Sequence, residues 1–280
     1  MRPRHTAILM ATYNGGRHLR EQMDSILSQT DKDWTLYVHD DGSSDDTRQI
    51  IDEYVAASDQ VKVLDYAPCG GACANFLSML QRVEADYYLF SDQDDVWLAD
   101  KIRLTRQEMA CQEERHPGKP VVVHTDLYVT DGQLNILHES FMTLAGIRPE
   151  FLTTFDECVI PFVTGCTMMF NAEARRRTVF PADAAVMHDS WVTLCSLRTD
   201  GVVSVLRQPL VLYRQHGHNS VGARDVSTIT WGYRLHHLKE ILSLNRRIYG
   251  MLRALGYGSV LKYIRYKRRY RRMVHGRASR

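Results

Sequence analysis

The stretch over residues 86–102, which reads DYYLFSDQDDVWLADKI, constrains this chain most. Its first part, residues 87–91, is a short apolar and aromatic run that is typical of a buried strand. Three carboxylates follow within four residues, at Asp92, Asp94 and Asp95. Like charges this close repel one another, and burying them without partners is costly. This loop must therefore hold a cation or be fully solvated.

Apolar residues on both sides of the three acids favour the cation. Leu89 and Phe90 precede the acids, and Val96 and Trp97 follow them. These side chains hold the carboxylates at the end of a rigid element, as a metal site requires. Because all the ligands would be oxygen atoms, a hard cation such as Mg²⁺ or Mn²⁺ is favoured. The sequence therefore predicts a divalent-metal site, with a solvated acidic turn as the alternative.

Length and cysteine usage set the broad class of protein. A chain of 280 residues is long enough for one large domain or two small ones. It contains no apolar run of the length that a spanning helix needs, and its start has no pattern of a secretory signal. None of the six cysteines forms a CxxC pair. We therefore expect reduced thiols in a cytoplasmic protein.

The charge is unevenly distributed along the chain. Residues 241–280 contain 12 Lys and Arg residues and no Asp or Glu, so the remainder is acidic overall. An acidic body argues against a nucleic-acid enzyme, and we expect no nucleic-acid partner. The basic tail interleaves tyrosines with basic residues over 257–272. This pattern predicts either peripheral contact with an anionic membrane or a solvated basic helix.

Strands and helices alternate through the first hundred residues, at a spacing of about 30 residues that is typical of a parallel α/β sheet. Ligands of such sheets bind outside the carboxyl ends of the strands. Polar or acidic groups follow three of the predicted strands, so those strand ends are expected to converge on one crevice. The strands are predicted over residues 6–12, 35–39, 61–66 and 87–91, and the polar ends over 12–14, 40–42 and 92–95.

The second half has a different pattern. A helix is predicted to open at residues 187–191, with Asp189 placed to cap it. Asp131-Gly132 is a turn signal between two short strands of a hairpin, 127–129 and 134–136. Residues 215–219 are predicted to form a polar loop, and the chain beyond residue 230 is predicted to be helical. Further strands are predicted over 121–125, 163–170, 202–206 and 210–214.

The segments ATYNG, VHDDGSSDDT and SDQDDVWLADKI, in this order, resemble glycosyltransferase family 2, whose inverting members have a nucleotide-sugar-binding fold of the GT-A type. MHDSW and LYRQHGHNSVGA resemble the family's bacterial rhamnosyltransferases. The resemblance covers about residues 6–223. It implies a Rossmann-like α/β fold, a mixed sheet flanked by helices. The domain would span 1–223, with a nucleotide-sugar half (1–100), an acceptor half (101–223) and a helical basic extension (224–280).

The resemblance also assigns roles to residues. Asp94 would ligate the metal that bridges the diphosphate, and Asp189 would be the catalytic base. His216, in the polar loop, is a candidate for the metal shell or the diphosphate. Ala11 stands where many family members have proline, serine or threonine, so its contact would come from the backbone. The nucleotide-sugar contacts are expected at Ala11, Thr12, Tyr13, Asp40, Asp41, Asp92 and Gln93.

Inverting glycosyl transfer requires one in-line displacement, for which a carboxylate is a competent general base and a divalent cation can stabilise the leaving diphosphate. Asp189 could instead serve only as a helix cap. The expected reaction moves L-rhamnose from dTDP-L-rhamnose to a bacterial surface polysaccharide or a lipid-linked glycan, at the inner face of the cytoplasmic membrane. Alternatives are a UDP-sugar donor and a non-catalytic nucleotide-sugar-binding subunit. A dehydrogenase is disfavoured because no GxGxxG follows a predicted strand.

Overall fold

The computed structural model describes residues 4–215 and 236–275, and a mixed β-sheet forms its centre. The strands follow the order β3-β2-β1-β4-β8-β6-β9-β5, with β7 paired to β6. They are β1 (Thr6–Thr12), β2 (Trp34–Asp40), β3 (Val61–Val63), β4 (Tyr87–Ser91), β5 (Val96–Trp97), β6 (Val121–Thr130), β7 (Ile136–His138), β8 (Met168–Asn171) and β9 (Val202–Arg214).

The four strands β3, β2, β1 and β4 are parallel, as the spacing predicted. β1 and β4 are short apolar runs that are buried on both faces, since helices cover the sheet on either side. Leu19, Met23 and Ile26 form the buried stripe of the first helix. The helices of this half are α1 (Gly16–Leu27), α2 (Thr47–Ala57), α3 (Ala72–Arg82) and α4 (Lys101–Arg115).

The second half adds strands in both directions, because β8 runs antiparallel to both β4 and β6, whereas β9 runs parallel to β6. Two predictions here were wrong in the same way. Residues 121–125 and 127–129 form the single strand β6, and residues 202–206 and 210–214 form the single strand β9. The register shifts near Asp126 and its partner Pro209. An irregularity of this kind accommodates a proline within one continuous strand.

The predicted strand over residues 163–170 is only half present. Gly165–Thr167 is a turn of 3₁₀ helix, and β8 begins at Met168. The glycine permits a close approach, because a Cβ on Gly165 would lie 2.6 Å from Nε2 of His188. The turn thus brings the backbone of residue 165 against the start of a helix. The shorter helices of this region are α5 (Phe141–Leu144), α6 (Ala172–Arg177) and α7 (His188–Arg198).

Two helices follow in the C-terminal part, α8 (Leu238–Ala254) and α9 (Val260–His275). Ile248, Met251 and Leu252 of α8 are buried in the same apolar cluster as the sheet face under α3 and α7. Tyr263 and Tyr270 of α9 belong to that cluster too. The second half of the basic tail is therefore packed on the body. The boundary expected at residues 223–224 lies outside the described residues.

No helix among the described residues is both long and apolar enough to cross a membrane. All six cysteines are free thiols, as expected.

Candidate active site

The carboxyl ends of β1, β2 and β4 lie side by side, because the three strands are adjacent and parallel. Thr12 pairs with Asp40 across β1 and β2, and Met10 pairs with Ser91 across β1 and β4. The acidic loop after Ser91 therefore begins next to the end of β1. The polar strand ends that the sequence singled out meet at one edge of the sheet.

The loop after β1 is held to the loop after β2 by its backbone amides. Asn14 has a positive φ of 46°, a conformation that asparagine tolerates better than most residues. Its amide donates to Ser43 Oγ at 2.8 Å, and the Gly15 amide donates to Thr47 Oγ1 at 2.8 Å. The Tyr13 side chain beside them is 57% exposed. This fixed loop presents an aromatic ring to solvent at the crevice.

Asp40, at the end of β2, and Ala11 and Thr12 of β1 mainly build the wall of this crevice. The Thr12 hydroxyl is buried and donates to Asp40 Oδ1 at 3.0 Å. The Ser43 amide donates to Asp40 Oδ2 at 2.9 Å. Ala11 is half-buried against the core. Direct nucleotide contacts by these side chains stay a prediction.

Asp41 follows β2, and its carboxylate holds the turn that leads into α3. Its carboxylate accepts hydrogen bonds from the amides of Gly71 at 2.7 Å, Gly70 at 3.2 Å and Cys69. The φ values of Gly70 and Gly71 are both positive, 77° and 146° respectively, so the turn requires residues without a side chain. A carboxylate has about four acceptor sites. Asp41 can therefore hold this turn and still accept one donor from a ligand.

The acidic loop is electrostatically strained. Burial, and then the charges of Asp94 and Asp189, raise the pKa of Asp92 to about 7. Asp95 is wholly buried, and burial together with Asp92 and Asp94 raises its pKa well above the ordinary range. Oxygen atoms of Asp92 and Asp95 and the Cys166 sulfur lie within 4.8 Å of one another. Asp92 and Asp95 thus share one small volume with Cys166, and Asp94 is close enough to raise the pKa of both acids.

Arg214, the last residue of β9, holds this loop from behind. Its side chain is 2% exposed, and its Nε donates to the Asp94 carbonyl at 2.9 Å. Its backbone amide donates to Asp95 Oδ1 at 3.3 Å, and its guanidinium also binds the Gly132 carbonyl and the Glu21 carboxylate. From the sequence alone, Arg214 could balance acids or phosphates, or be a solvated salt-bridge partner. The structure buries it against the backbone of the acidic loop, with its guanidinium paired to Glu21.

Lys101 is a second buried cation of this region. Its Nζ lies 3.7 Å from the centre of the Trp97 ring, and burial lowers its pKa to about 7. Among the described residues none accepts a hydrogen bond from this Nζ. Trp97 is therefore a core residue with a cation on its face, and Lys101 faces the interior of the protein.

The chemistry of the loop fits a hard divalent cation. Asp92 and Asp94 are half-buried oxygen donors at the crevice, and no described group donates a hydrogen bond to the buried Asp95 Oδ2. Burial raises the pKa of the Cys166 thiol well above its usual range. A protonated thiol is a poor ligand, so the oxygen atoms remain. His216, the other predicted ligand, lies outside the described residues.

Asp189 lies across the crevice in the first turn of α7. Its Oδ2 accepts from the Gly165 amide at 3.0 Å, and its Oδ1 accepts from the Ser190 amide. Burial raises its pKa to about 6. The N-cap of α7 is Met187 and not Asp189, so the predicted cap was wrong. Asp189 is close enough to Asp92 to raise the pKa of that carboxyl.

The neighbours of Asp189 are packed side chains. His188 stacks on Phe76 with ring centres 4.1 Å apart, and burial lowers its pKa to about 3. It is therefore a neutral, packed side chain. Trp191 is buried and donates from Nε1 to the Val179 carbonyl at 2.9 Å. Its indole is turned into the core by α7, so it is a packing residue and does not stack on a sugar.

The geometry described above agrees with the comparisons to known proteins. The profile of glycosyl transferase family 2 matches residues 7–178. The chain belongs to this family. The dTDP-rhamnosyl transferase RfbG of Shigella flexneri is 30% identical over 229 residues, which cover 76% of this chain and 74% of RfbG. A glucosyltransferase of Escherichia coli, WfgD, is 32% identical over 98 residues, 35% of this chain and 38% of WfgD.

Solved structures show that this glycosyltransferase has the GT-A fold. A mannosyltransferase from Pyrobaculum calidifontis, solved with GDP-Man and Mn²⁺, matches with a TM-score of 0.57 at 14% identity, over 92% of this chain and 77% of that one. S. aureus TarS 1-349, solved with UDP-GlcNAc, matches with a TM-score of 0.55 at 16% identity, over 86% of this chain and 66% of that one. The expected fold class and family are confirmed.

Proposed function

We propose that this family-2 glycosyltransferase transfers L-rhamnose from dTDP-L-rhamnose, with inversion, to a hydroxyl of a bacterial surface polysaccharide or lipid-linked glycan. The observation that carries the proposal is the position of Asp189. It is a buried carboxylate with a pKa raised to about 6, in the same crevice as the acidic loop. Such a group can take a proton near neutral pH. The choice of donor is supported by the likeness to RfbG.

The donor site of this proposal lies along the ends of β1, β2 and β4. Tyr13 and Asp41 flank the place of the base, and the diphosphate extends towards Asp92 and Asp94. Mg²⁺ or Mn²⁺ would be held by Asp94 with Asp92 and His216, and would offset the charge that develops on the leaving diphosphate. The oxygen-rich loop and its orphaned buried oxygen support a hard cation.

In the reaction, the acceptor hydroxyl attacks the anomeric carbon from the side opposite the diphosphate. The bond from carbon to acceptor oxygen forms as the bond to the diphosphate oxygen breaks, and the hydroxyl proton passes to Asp189. The amides of Gly165 and Ser190 hold the two oxygens of this carboxylate in place. Asp92 and Arg214 act on the donor side, in and beneath the acidic loop. The base on α7 and the acidic loop after β4 are therefore separate elements, which lets the acceptor approach from the side opposite the diphosphate.

A UDP-sugar is the second candidate donor. WfgD is a UDP-Glc-dependent glucosyltransferase, and TarS was solved with UDP-GlcNAc. A pyrimidine base is common to both donors, so the Tyr13 and Asp41 side of the crevice suits either one. The sugar side of the crevice would decide between them.

A donor panel tests the proposal. Purified full-length protein is incubated with a lipid-diphosphate-linked saccharide, Mn²⁺ and one of dTDP-L-rhamnose, UDP-glucose, UDP-GlcNAc or GDP-mannose. We expect dTDP release and a product whose anomeric configuration is opposite to that of the donor, seen by NMR of the product. Turnover with UDP-sugars alone would show that the donor is a UDP-sugar and not dTDP-L-rhamnose. Tight donor binding with no turnover on any acceptor would favour a non-catalytic binding subunit.

We also propose that the C-terminal helices contact an anionic membrane at the inner face of the cytoplasmic membrane. On α9, Leu261 and Ile264 are 74% and 40% exposed, next to the exposed Arg265 and Arg268. Leu238, Leu242 and Leu244 of α8 are exposed as well. Exposed leucines beside arginines fit the boundary of a lipid headgroup layer.

The position of these helices supports an acceptor on the membrane. Met251 of α8 lies against Val186, with the Val186 amide 3.5 Å from its sulfur, just before Asp189 in the chain. The tail tyrosines Tyr263 and Tyr270 are buried in the body. The proposed contact therefore uses leucines and arginines, and not the interleaved tyrosines that first suggested it.

A further inference from the structure

We propose that Gln93, the residue between Asp92 and Asp94, is a positioning residue that holds the nucleoside side of the donor site in register with the acidic loop. The proposal rests on the proposed function, because it concerns one donor that spans both places. Gln93 acts through the backbone of Tyr13. Gln93 belongs to the acidic loop after β4, but its side chain contacts Tyr13 at the end of β1.

The contact is a pair of hydrogen bonds from one side-chain carboxamide. The Tyr13 amide donates to Gln93 Oε1 at 2.9 Å, and Gln93 Nε2 donates to the Tyr13 carbonyl at 3.0 Å. The backbone pairing between β1 and β4 ends earlier, at Met10 and Ser91. The Gln93 side chain therefore takes the place of a further rung of the sheet, beyond the point where the two strands diverge.

The chain leaves room for this carboxamide. A Cβ on Gly15 would overlap the Gln93 Oε1 and Cδ atoms. The Gly15 amide is itself held by Thr47 Oγ1 at 2.8 Å, so the loop cannot move away without losing that bond. Gln93 is thus enclosed between Tyr13 and Gly15, and its orientation is fixed from both sides.

This geometry matters most for a ligand that reaches both subsites. A nucleoside occupies only the Tyr13 and Asp41 side, and a free cation occupies only the acidic loop. A nucleoside diphosphate with its cation must fit both at once, so its affinity depends on the distance between them. Losing the Gln93 link should loosen that distance and leave each subsite intact.

The experiment compares Gln93→Met with Gln60→Met in the full-length protein. Methionine keeps the length of the side chain and removes the hydrogen bonds. Gln60 is a matched control, because its Nε2 also bridges two backbone groups, the carbonyls of Lys32 at 2.9 Å and Trp34 at 3.0 Å, at the opposite end of the sheet. Calorimetry and ligand-observed NMR measure the dissociation constants of dTDP with Mn²⁺, thymidine alone and Mn²⁺ alone.

For Gln93→Met we expect dTDP with Mn²⁺ to bind about tenfold more weakly, while thymidine and Mn²⁺ alone change less than about twofold. Gln60→Met should leave all three constants unchanged. Gly15→Ala breaks the same contact by displacing the carboxamide, and it should give the same pattern. It keeps the test decisive if the methionine variant does not fold.

Other outcomes overturn the inference. Unchanged binding of dTDP with Mn²⁺ would make the Gln93 contact a local hydrogen bond only. Equal weakening of all three ligands would show general damage to the site. A larger loss for dTDP-L-rhamnose than for dTDP would show that Gln93 touches the sugar directly. If the native chain bound neither dTDP nor UDP with Mn²⁺, the proposed function would fall, and this inference with it.

Discussion

The acidic loop and Asp189 both present buried carboxylates to one crevice, but they are held in different ways. The loop crowds Asp92, Asp94 and Asp95 together, and the cation of Arg214 lies buried beneath them. Asp189 is a single acid held by two backbone amides, those of Gly165 and Ser190. Backbone dipoles fix its position without neutralising it.

This difference separates two chemical tasks. In the loop, the carboxylates repel one another and raise one another's pKa, and a divalent ion bound among them would offset that repulsion. A single buried carboxylate with a raised pKa is suited to receive a proton. The loop is therefore suited to bind a cation, and Asp189 is suited to exchange a proton.

Asp189→Asn should give the largest effect, because it removes the proton acceptor and keeps the size of the side chain. We expect turnover to fall about 10²–10⁴-fold, with the dissociation constant of the donor within about twofold of the parent. Product formation is followed by chromatography and donor binding by calorimetry. Turnover within a few-fold of the parent would make Asp189 a structural residue. A parallel loss of donor binding would show that Asp189 belongs to the donor-binding site.

Asp94→Ala breaks the other region. The variant should lose the gain in dTDP affinity that Mn²⁺ gives, because the loop loses its expected ligand, and it should remain folded since Asp94 is only half-buried. Titrations with and without Mn²⁺, together with circular dichroism, measure this. An unchanged Mn²⁺ effect in the folded variant removes Asp94 from the metal site.

Arg214→Lys sharpens the contrast, since it keeps the charge and loses the planar set of donors. We expect the Mn²⁺ affinity in the presence of dTDP to fall about 10- to 100-fold, as for other residues that orient ligands. Arg106→Lys is the matched control. Its guanidinium binds Asp31 at 3.0 Å and the Arg4 carbonyl at 2.6 Å, at the other end of the sheet.

A purely structural role for Arg214 would lower the melting temperature of both lysine variants by similar amounts and leave the Mn²⁺ affinity unchanged in both. Electron paramagnetic resonance of Mn²⁺ follows the affinity independently of turnover.

The pH dependence of turnover tests the proton-accepting region. The pKa of Asp189 is raised to about 6, so it is protonated below that pH and cannot act as a base. At saturating donor, turnover should fall about tenfold per pH unit below 6. Because the folded pKa exceeds the unfolded value of about 3.9, the stability that Asp189 contributes is present below the unfolded pKa and is lost as pH rises through 6.

The residual turnover of Asp189→Asn should lack this acid limb. An acid limb that persists unchanged in the variant would assign it to another group.

The smallest expected effect lies outside the crevice, on the C-terminal helices. Leu261→Ser combined with Arg268→Ser should reduce cosedimentation with phosphatidylglycerol vesicles several-fold, since each basic residue contributes about 1 kcal/mol near such a surface. Leu137→Ser is the control, because Leu137 is 55% exposed on the distant strand β7. Equal vesicle binding by the native and doubly substituted proteins would remove this surface from the membrane contact, and added salt should weaken native binding.

The sequence alone determined the parallel half of the fold and the crevice. Short apolar runs such as that of β4, each followed by an amphipathic helix, form parallel strands almost regardless of distant contacts, because the pattern buries both faces. Parallel strands then bring their carboxyl ends together. The acidic loop and the neighbouring Tyr13 and Asp41 could therefore be placed near one another, and Asp189 was assigned as the base only through family resemblance.

Only the tertiary structure decided what surrounds those residues. Arg214 lies 120 residues from Asp94 in the chain, and no local pattern shows that β9 ends beneath the acidic loop. The irregularity at Pro209, the 3₁₀ turn at Gly165 and the burial of Tyr263 depend on partners from remote elements in the same way. Periodicity records which face of an element is buried. The identity of the partner that buries it, and hence the charge and pKa of each acid, arises only when the sheet is assembled.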